Sequence, residues 1–488
     1  MRIAERRDRD EWIPNYYPSR EIGPDQYLRI SRCGKTVVLT KEEDEQLNQI
    51  FMDASLFDRL ERTGHIVTAQ NSSRVFEELR TWLRHTYAGP NLHIVVLTKR
   101  CNLNCTFCHM DPVPVAFAKA DYDMTPAVAE AVIQFALKSS NPDLLFEFQG
   151  GEPFLNFRCL QHFVTSAEKL NEQVGKKIRY TVVTNLMVAK DEQLEFCVRH
   201  NIGVSYSLNG PVQIHDSYRV TRQGGGSYLK VMDRIGEIRS KFPGLIRETP
   251  LCVIDSENAP RLREMIDFYY ESGFSGLALI RLKTLGNARR NSLALDMHQF
   301  LQYYLEGLDY IFEKNVVTDR VFAERMLPVV LTKILSDTDV GFVDWRNPCG
   351  DVTGALIYDY DGELLPADEA RSLRNEFSLG NVTSTTYEQL IRLKSSFRTT
   401  NLSLRDRDPI CRECAYNPYC GVMPVLDFSR TGDPTPRPHE SDECLFTLAI
   451  LDWTFQKLMT NPLPLFRMLN GIDDVLLEIA AKANTTGD

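Results

Sequence analysis

Three cysteines, Cys101, Cys105 and Cys108, stand at C-x3-C-x2-C spacing directly after the β-branched run His93-Ile94-Val95-Val96-Leu97-Thr98. Three thiolates on one short loop can hold three corners of a cubic [4Fe–4S] cluster, whose usual thiolate count is four. The missing fourth ligand leaves one iron open to a small molecule. Phe107, just before the last cysteine, can shield such a cluster from water. A zinc loop or a set of buried thiols is the alternative. Zinc usually recruits two ligand pairs, and no second pair lies nearby in the chain.

Other chemistry-bearing residues recur at the ends of later β-type runs. Gln149-Gly150-Gly151-Glu152-Pro153 closes one of them. Its two glycines let the backbone approach a ligand closely, and Glu152 can accept charge-assisted hydrogen bonds from an ammonium group. Asn185 ends the next run. Ser207-Leu208-Asn209-Gly210-Pro211 follows, then His215-Asp216-Ser217-Tyr218-Arg219. An arginine fork suits a carboxylate, whereas His215 and Asp216 serve equally well as local caps. Gly224-Gly225-Gly226 lacks the Lys-Ser/Thr ending of a phosphate loop and reads as a loop entering a helix.

The elements that position these residues alternate. Strand-like runs are expected at 93–98, 144–149, 179–184, 204–208, 249–254 and 276–282, with helical patterns at 126–137, 157–170, 191–200, 228–242 and 260–272. Thr125 and Pro126 are start signals for the first helix. Repeated β-α units imply a parallel sheet with right-handed crossovers. The fold expected is an α/β partial (β/α)6 barrel, whose site gathers at the C-terminal strand ends. The domains expected are an N-terminal α+β module (1–90), the barrel (91–290), a helical bridge (291–340), an irregular cysteine-bearing extension (341–446) and a helical tail (447–488).

In the N-terminal module a hairpin pairs 27–30 with 36–39, and Thr40 with Glu43 forms a capping box. Leu47, Ile50 and Phe51 continue that helix, a second spans 55–62, and 65–67 returns as a strand. The pattern resembles the small winged-helix module by which peptide-modifying enzymes grip a leader. A structural cap on the barrel is the alternative. Cys33 reads as a hairpin thiol, and Cys159, Cys197 and Cys252 as core thiols.

The 488 residues carry 43% hydrophobic and 25% charged side chains, the balance of a globular protein with a large core. No apolar run approaches a membrane span, and the first residues show no apolar signal stretch. Net charge of −10 without a basic run argues against a nucleic-acid partner. Twelve cysteines in that setting read as metal ligands and core thiols rather than disulfides. The compartment expected is the cytoplasm.

The C-x3-C-x-aromatic-C loop, Gly-Gly-Glu-Pro and S-L-N-G-P…H-D-x-x-R together resemble the radical S-adenosylmethionine (SAM) superfamily, over about 93–285. The resemblance implies a [4Fe–4S] cluster on Cys101, Cys105 and Cys108. It implies SAM held by Gly150, Gly151, Glu152, Pro153, Asn185, Ser207 and Arg219. Asn209 departs from the usual aspartate.

Cys349, Cys411-x2-Cys414-x5-Cys420 and Cys444 resemble the SPASM extension, over about 345–446. By that resemblance Cys411, Cys414, Cys420 and Cys444 would hold one auxiliary [4Fe–4S] cluster, with zinc as the alternative. Ligands of the other auxiliary cluster are replaced by Ala367 and Pro424, which leaves Cys349 without partners. The stretches 146–157, 358–362, 367–371 and 379–382 look like the His-Xaa-Ser system radical SAM maturase B family.

The implied enzyme cleaves SAM to methionine and a 5′-deoxyadenosyl radical, which takes a hydrogen atom from a ribosomally made peptide or protein. A small electron donor such as flavodoxin or ferredoxin is implied. Asp368 is the candidate base, its pKa expected to rise in a dry site. A sulfatase-maturase-like formylglycine-forming enzyme and a non-catalytic metal-bearing scaffold are the alternatives.

Overall fold

The structure, a computed structural model, describes residues 6–8, 12–49, 51–336, 342–433 and 437–470. Six strands form the frame: β1 (Leu92–Thr98), β2 (Asp143–Gly150), β3 (Lys177–Thr184), β4 (Ile202–Tyr206), β5 (Leu251–Ile254) and β6 (Gly276–Arg281). β1 to β4 pair in parallel in chain order, as do β5 and β6. Single parallel bridges, Val204 to Ile246 and Ser207 to Leu251, carry the sheet from β4 to β5.

The pleat decides which side chains reach the lumen. On β2, Phe146 and Phe148 turn outward and meet Phe163 of helix Phe157–Val174 edge-on at 5.0 and 5.2 Å. Glu147 and Gln149, on the opposite face, remain half-buried. Helix Pro126–Leu137 starts where its signals place it: the Thr125 side chain accepts from the Val128 N–H, and Pro126 sits in the first turn.

The extension is not merely irregular, as its sequence suggests. Its strand β8 (Ala355–Tyr358) pairs in parallel with β1, from Ala355 opposite Leu92 to Tyr358 opposite Val95. β9 (Leu364–Leu365) returns antiparallel, and β7 (Ala323–Glu324) lies parallel to β6. The order is thus β9-β8-β1-β2-β3-β4-β5-β6-β7, and no ladder joins β7 to β9 among the described residues. The β8 pairing is sealed by a buried contact, His93 Nδ1 to the Tyr358 hydroxyl at 2.9 Å. Ile94 and Val96 pack on Ile357, Leu365, Ala370 and Val425, with half-buried Ala367 against them.

In the N-terminal module, Gln26–Ile30 pairs with Thr36–Leu39 and with Arg20–Gly23. The Thr40–Glu43 capping box forms, but its helix stops at Gln46. Phe51–Asp53 is a strand paired with Arg6–Asp8, not a helix continuation; Ile50 lies outside the described residues. Gln46 ends the helix by clamping the strand: its amide donates to Asp53 Oδ2 at 2.8 Å and accepts from the Asp53 N–H at 3.0 Å. The bridge is Met297–Val317 and Met326–Leu335, and the tail Asp442–Thr460 and Leu463–Asn470. No helix among the described residues is long and apolar enough to cross a membrane.

Candidate active site

A cavity of about 310 Å³ opens at the C-terminal ends of β1 to β6. Cys101, Cys105 and Cys108 line it, and so do Gly150, Gly151, Asn185, Ser207, Arg219 and Asp368. Residues far apart in sequence meet here because each follows a parallel strand.

The cysteine loop is clamped from several sides. Arg100, almost fully buried, makes a two-pronged pair with Asp123 at 2.8 and 2.7 Å, and the Thr98 hydroxyl donates to the same carboxylate. Arg222 donates to the carbonyls of Cys101 (3.2 Å) and Pro112 (2.9 Å). Asn291 donates to the Thr106 carbonyl at 2.6 Å. None of these clamps belongs to a recognisable motif; a buried arginine and its acid 23 residues on are visible only once folded.

Gly150 and Gly151 serve the backbone more directly than a ligand. A Cβ on Gly150 would stand 2.3 Å from the Thr98 carbonyl oxygen, and one on Gly151 would stand 2.3 Å from that of Arg100. Gly150 also has φ +154. The glycines let the end of β2 lie against the chain entering the cysteine loop.

Glu152 and Pro153 are buried directly behind Gly150 and Gly151 of the cavity wall. Both Glu152 oxygens are taken: Thr184 Oγ1 and the Asn185 N–H donate at 2.8 Å each, and the Phe154 N–H at 3.2 Å. Burial pushes its pKa up to about 7 against the pull of these donors. Glu152 therefore ties the end of β2 to the end of β3. Asn185, so placed, donates to Asn102 Oδ1 at 2.9 Å and lies 3.8 Å from Cys101 Sγ.

Arg219 reaches the thiols. Its Nη1 lies 4.0 Å from Cys105 Sγ, and its guanidinium sits 5.0 Å over the Phe107 ring. Asn209 holds it, accepting from Nε at 2.8 Å. The neutral amide thus retains the tether without the charge. His215 and Asp216 act locally. His215 accepts the Asn209 N–H at 3.2 Å and meets Ser227 Oγ at 3.0 Å, while Asp216 accepts the Ser227 and Tyr228 N–H groups at 2.8 Å.

Asp368 stands on the cavity wall, but its electrostatics reverse the expectation. Burial would raise its pKa; His109 (3.4 Å), Arg371 (3.2 Å) and Lys283 instead hold it well below the usual carboxylate range. Lys283 is itself paired with Glu369. Asp368 is a stabilised anion.

The thiols fit a thiolate-bound cluster. Burial raises the pKa of all three, Cys108 to about 11, so exposed metal-free thiolates are not favoured there. A cationic cluster core and Arg219 would compensate their charge. Cys411, Cys414, Cys420 and Cys444 also converge electrostatically, Cys411 and Cys444 each feeling Cys420. Beside them Arg405 is buried, its Nε and Nη1 without hydrogen-bond partners among the described residues, a charge suited to an anionic metal–thiolate group. Asp408 caps the Cys411 turn, accepting N–H bonds from Ile410 and Cys411. Cys349 lies apart, its N–H donating to Ser403 Oγ at 2.9 Å. Among the described residues no three His, Cys, Asp or Glu side chains converge as ligands of one ion. Corners of a cubic cluster stand wider apart than that.

Residues 95–269 match the family described as the radical SAM superfamily. A cysteine-type anaerobic sulfatase-maturating enzyme of Clostridium novyi is 23% identical over 328 residues, 66% of this chain and 84% of the relative. A serine-type enzyme of that description from Bacteroides thetaiotaomicron is 23% identical over 373 residues, covering 72% and 87%. Among solved structures, native anSMEcpe with bound AdoMet superposes with a TM-score of 0.62 at 21% identity, covering 76% of this chain and 98% of that one. Streptococcus suis SuiB bound to precursor peptide SuiA gives 0.54 at 13% identity, covering 89% and 99%. The parallel barrel, the clamped cysteine loop at its mouth and the match over 95–269 establish a radical SAM domain, followed by a cysteine-bearing extension.

Proposed function

We propose that this chain is a radical SAM maturase that oxidises or crosslinks side chains of a ribosomally made peptide or protein. The observation that carries the proposal is the single cavity holding Cys101, Cys105, Cys108, Asn185, Ser207 and Arg219 at the strand ends. Relatives named for sulfatase maturation and for binding a precursor peptide support the substrate class. A [4Fe–4S] cluster on the three thiols, with SAM beside it, would supply hydrogen-atom abstraction from an unactivated carbon. The chain's own part is positional. Arg222 and Asp123 fix the cysteine loop, Arg219 balances thiolate charge, Asn185 and Ser207 face the cofactor space, and the buried walls exclude water. Cys411, Cys414, Cys420 and Cys444 would hold one auxiliary [4Fe–4S] cluster, with Arg405 as its cationic neighbour.

The relatives' names also favour a formylglycine-forming activity. Against it stand Ala367 and Pro424, since Ala367 packs in an apolar cluster and Pro424 opens helix Pro424–Thr431. The resemblance to the His-Xaa-Ser maturases points to a small repeat-bearing precursor, with a flavodoxin or ferredoxin as reductant. Anaerobically reconstituted protein with dithionite and SAM should release 5′-deoxyadenosine, and the Cys101/Cys105/Cys108→Ala variant should release none. Iron-replete wild-type protein that never cleaves SAM, with or without peptide, would falsify the enzyme reading.

A further inference from the structure

A second cavity, of about 360 Å³, lies beside the first and shares residues 280–283 as a common wall. It fills the gap left by the partial barrel, between β6, residues 324–326 and the extension's Trp345, Met423 and Phe446. Most of its cations are already matched. Arg281 and Arg430 both pair with Asp442 at 2.6 Å, and Lys283 pairs with Glu369.

Arg325 is different. It lines this cavity, and among the described residues no carboxylate stands within ion-pair distance of its guanidinium. Glu324, next in sequence, is consumed by the Tyr304 hydroxyl (2.9 Å) and the N–H groups of Met326 (2.7 Å) and Leu279 (3.2 Å). Glu147, on the lumen face of β2, accepts from Gln149 Nε2 at 2.7 Å. Burial, and then Arg247 of like sign, lower the pKa of Arg325, while Glu147 and Glu324 attract its charge from a distance and offset this only in part. A guanidinium in a largely dry wall with no direct ion pair among the described residues keeps its fork free, and that planar fork matches a carboxylate two-pronged. Asp344 and Glu443 line the same cavity, neither in an ion pair among the described residues, and burial raises the pKa of both, which favours their neutral forms.

We propose that this cavity holds a carboxylate subsite for the substrate peptide, with Arg325 as its ligand and Arg247 reinforcing the field. The inference rests on the peptide-maturase reading above. The apolar remainder of the cavity, Met297, Phe300, Met423 and Phe446 among it, takes the chain that carries the carboxylate. That carboxylate belongs to an acidic side chain or to the peptide's C-terminus.

The test uses the reconstituted holoenzyme with SAM and four pools of randomised fluorescent octapeptides. The pools fix a central Glu or Gln, and end in a free acid or an amide. Wild-type enzyme should bind a carboxylate-bearing pool about tenfold or more tighter than its neutral counterpart. The arm that shows the difference, side chain or terminus, identifies the source. The preference should vanish in Arg325→Gln and survive in part in Arg325→Lys. Glutarate should compete better than glutaramide on the wild-type enzyme, a readout that needs no substitution. Arg325→Met should melt no lower than wild type, because no direct ion pair or side-chain hydrogen bond among the described residues is lost with it; a lower melting temperature would make Arg325 a structural residue and overturn the proposal. Binding without carboxylate preference, or a preference retained in Arg325→Gln, overturns the subsite alone. No binding by any pool, with no stimulation of 5′-deoxyadenosine release, overturns the maturase reading as well.

Discussion

Asp368 shows how a side chain can sit in the right place with the wrong basicity for an expected task. It faces the cavity that the three thiols line, yet His109, Arg371 and Lys283 outweigh the effect of burial and keep it ionised. A carboxylate so stabilised is a weak proton acceptor. Asp368→Asn should therefore keep SAM cleavage and lose less product than the roughly 10²–10⁴-fold of a typical general base. Separate assays of 5′-deoxyadenosine and modified peptide check this; a loss within that range restores Asp368 as the base. The sign for stability follows from the depressed pKa. The contribution is full above the ordinary aspartate value and is lost as pH falls through the lower folded value. Asp368→Asn should accordingly lower the melting temperature near neutral pH and flatten the acid limb of the profile, where the wild-type contribution is lost in any case. Glu152 has the opposite sign. Its folded pKa of about 7 lies above the ordinary value, so its contribution is full below that ordinary value and fades as pH rises towards 7.

At the scale of elements, the site depends on how strand ends abut. The end of β2 lies so close to the chain entering the cysteine loop that side chains are excluded at Gly150 and Gly151. Gly151→Ala places a methyl against the Arg100 carbonyl, backbone that cannot yield as a side chain can. A cost of about 1–3 kcal/mol is the usual range for overpacking. The expected outcome is lost iron retention with far-ultraviolet circular dichroism preserved. Normal iron content in Gly151→Ala would show that the loop relaxes. The extension contributes at this scale too, because β8 completes the flank of β1 and brings residues 367–371 to the cavity. The auxiliary cluster proposed for its four cysteines would double the iron content. Reconstituted protein should contain about eight irons, two cubic clusters. Iron approaching about twelve, with a third spectroscopic signal, would refute that number.

For the whole molecule, the barrel was legible because its cues are local. β-branched runs, the Thr125-Pro126 start and Gly175, in the left-handed conformation after helix Phe157–Val174, each act within a few residues. The cysteine loop and Arg219 were legible for the same reason. The hidden parts depend on distant partners. Ala355–Tyr358 is four residues long, and nothing in them announces a strand partner far earlier in the chain. Arg222, Asp123 and Arg405 look like ordinary charged residues until folding buries them against the cysteine loops. The N-terminal module was legible in its hairpin and capping box, but not in its Phe51–Asp53 strand or in its docking.

That docking carries the last prediction. Arg20, on the first strand of the module's sheet, pairs two-pronged with Asp452 of helix Asp442–Thr460 and lies 5.0 Å over the Tyr416 ring. Tyr416 in turn donates to Asp452 at 2.7 Å and follows Cys414 by two residues. Trp82 meets Tyr419 edge-on at 6.1 Å, and the Tyr419 hydroxyl donates to the Gly34 carbonyl. The module therefore buttresses the loop that carries Cys414 and Cys420. Deleting residues 1–88 would strip this support as well as any peptide site, so loss of binding after deletion has two causes. Arg20→Ala separates them, because it leaves the module's own sheet and edge strand intact. Under a timed chelator challenge, Arg20→Ala should lose the iron assigned to Cys411, Cys414, Cys420 and Cys444 faster than wild type. Its Cys101/Cys105/Cys108 iron and uncoupled SAM cleavage should be retained. Iron loss at the wild-type rate would show that the auxiliary loop stands without the module, and the docking face would then serve only to hold the module in place.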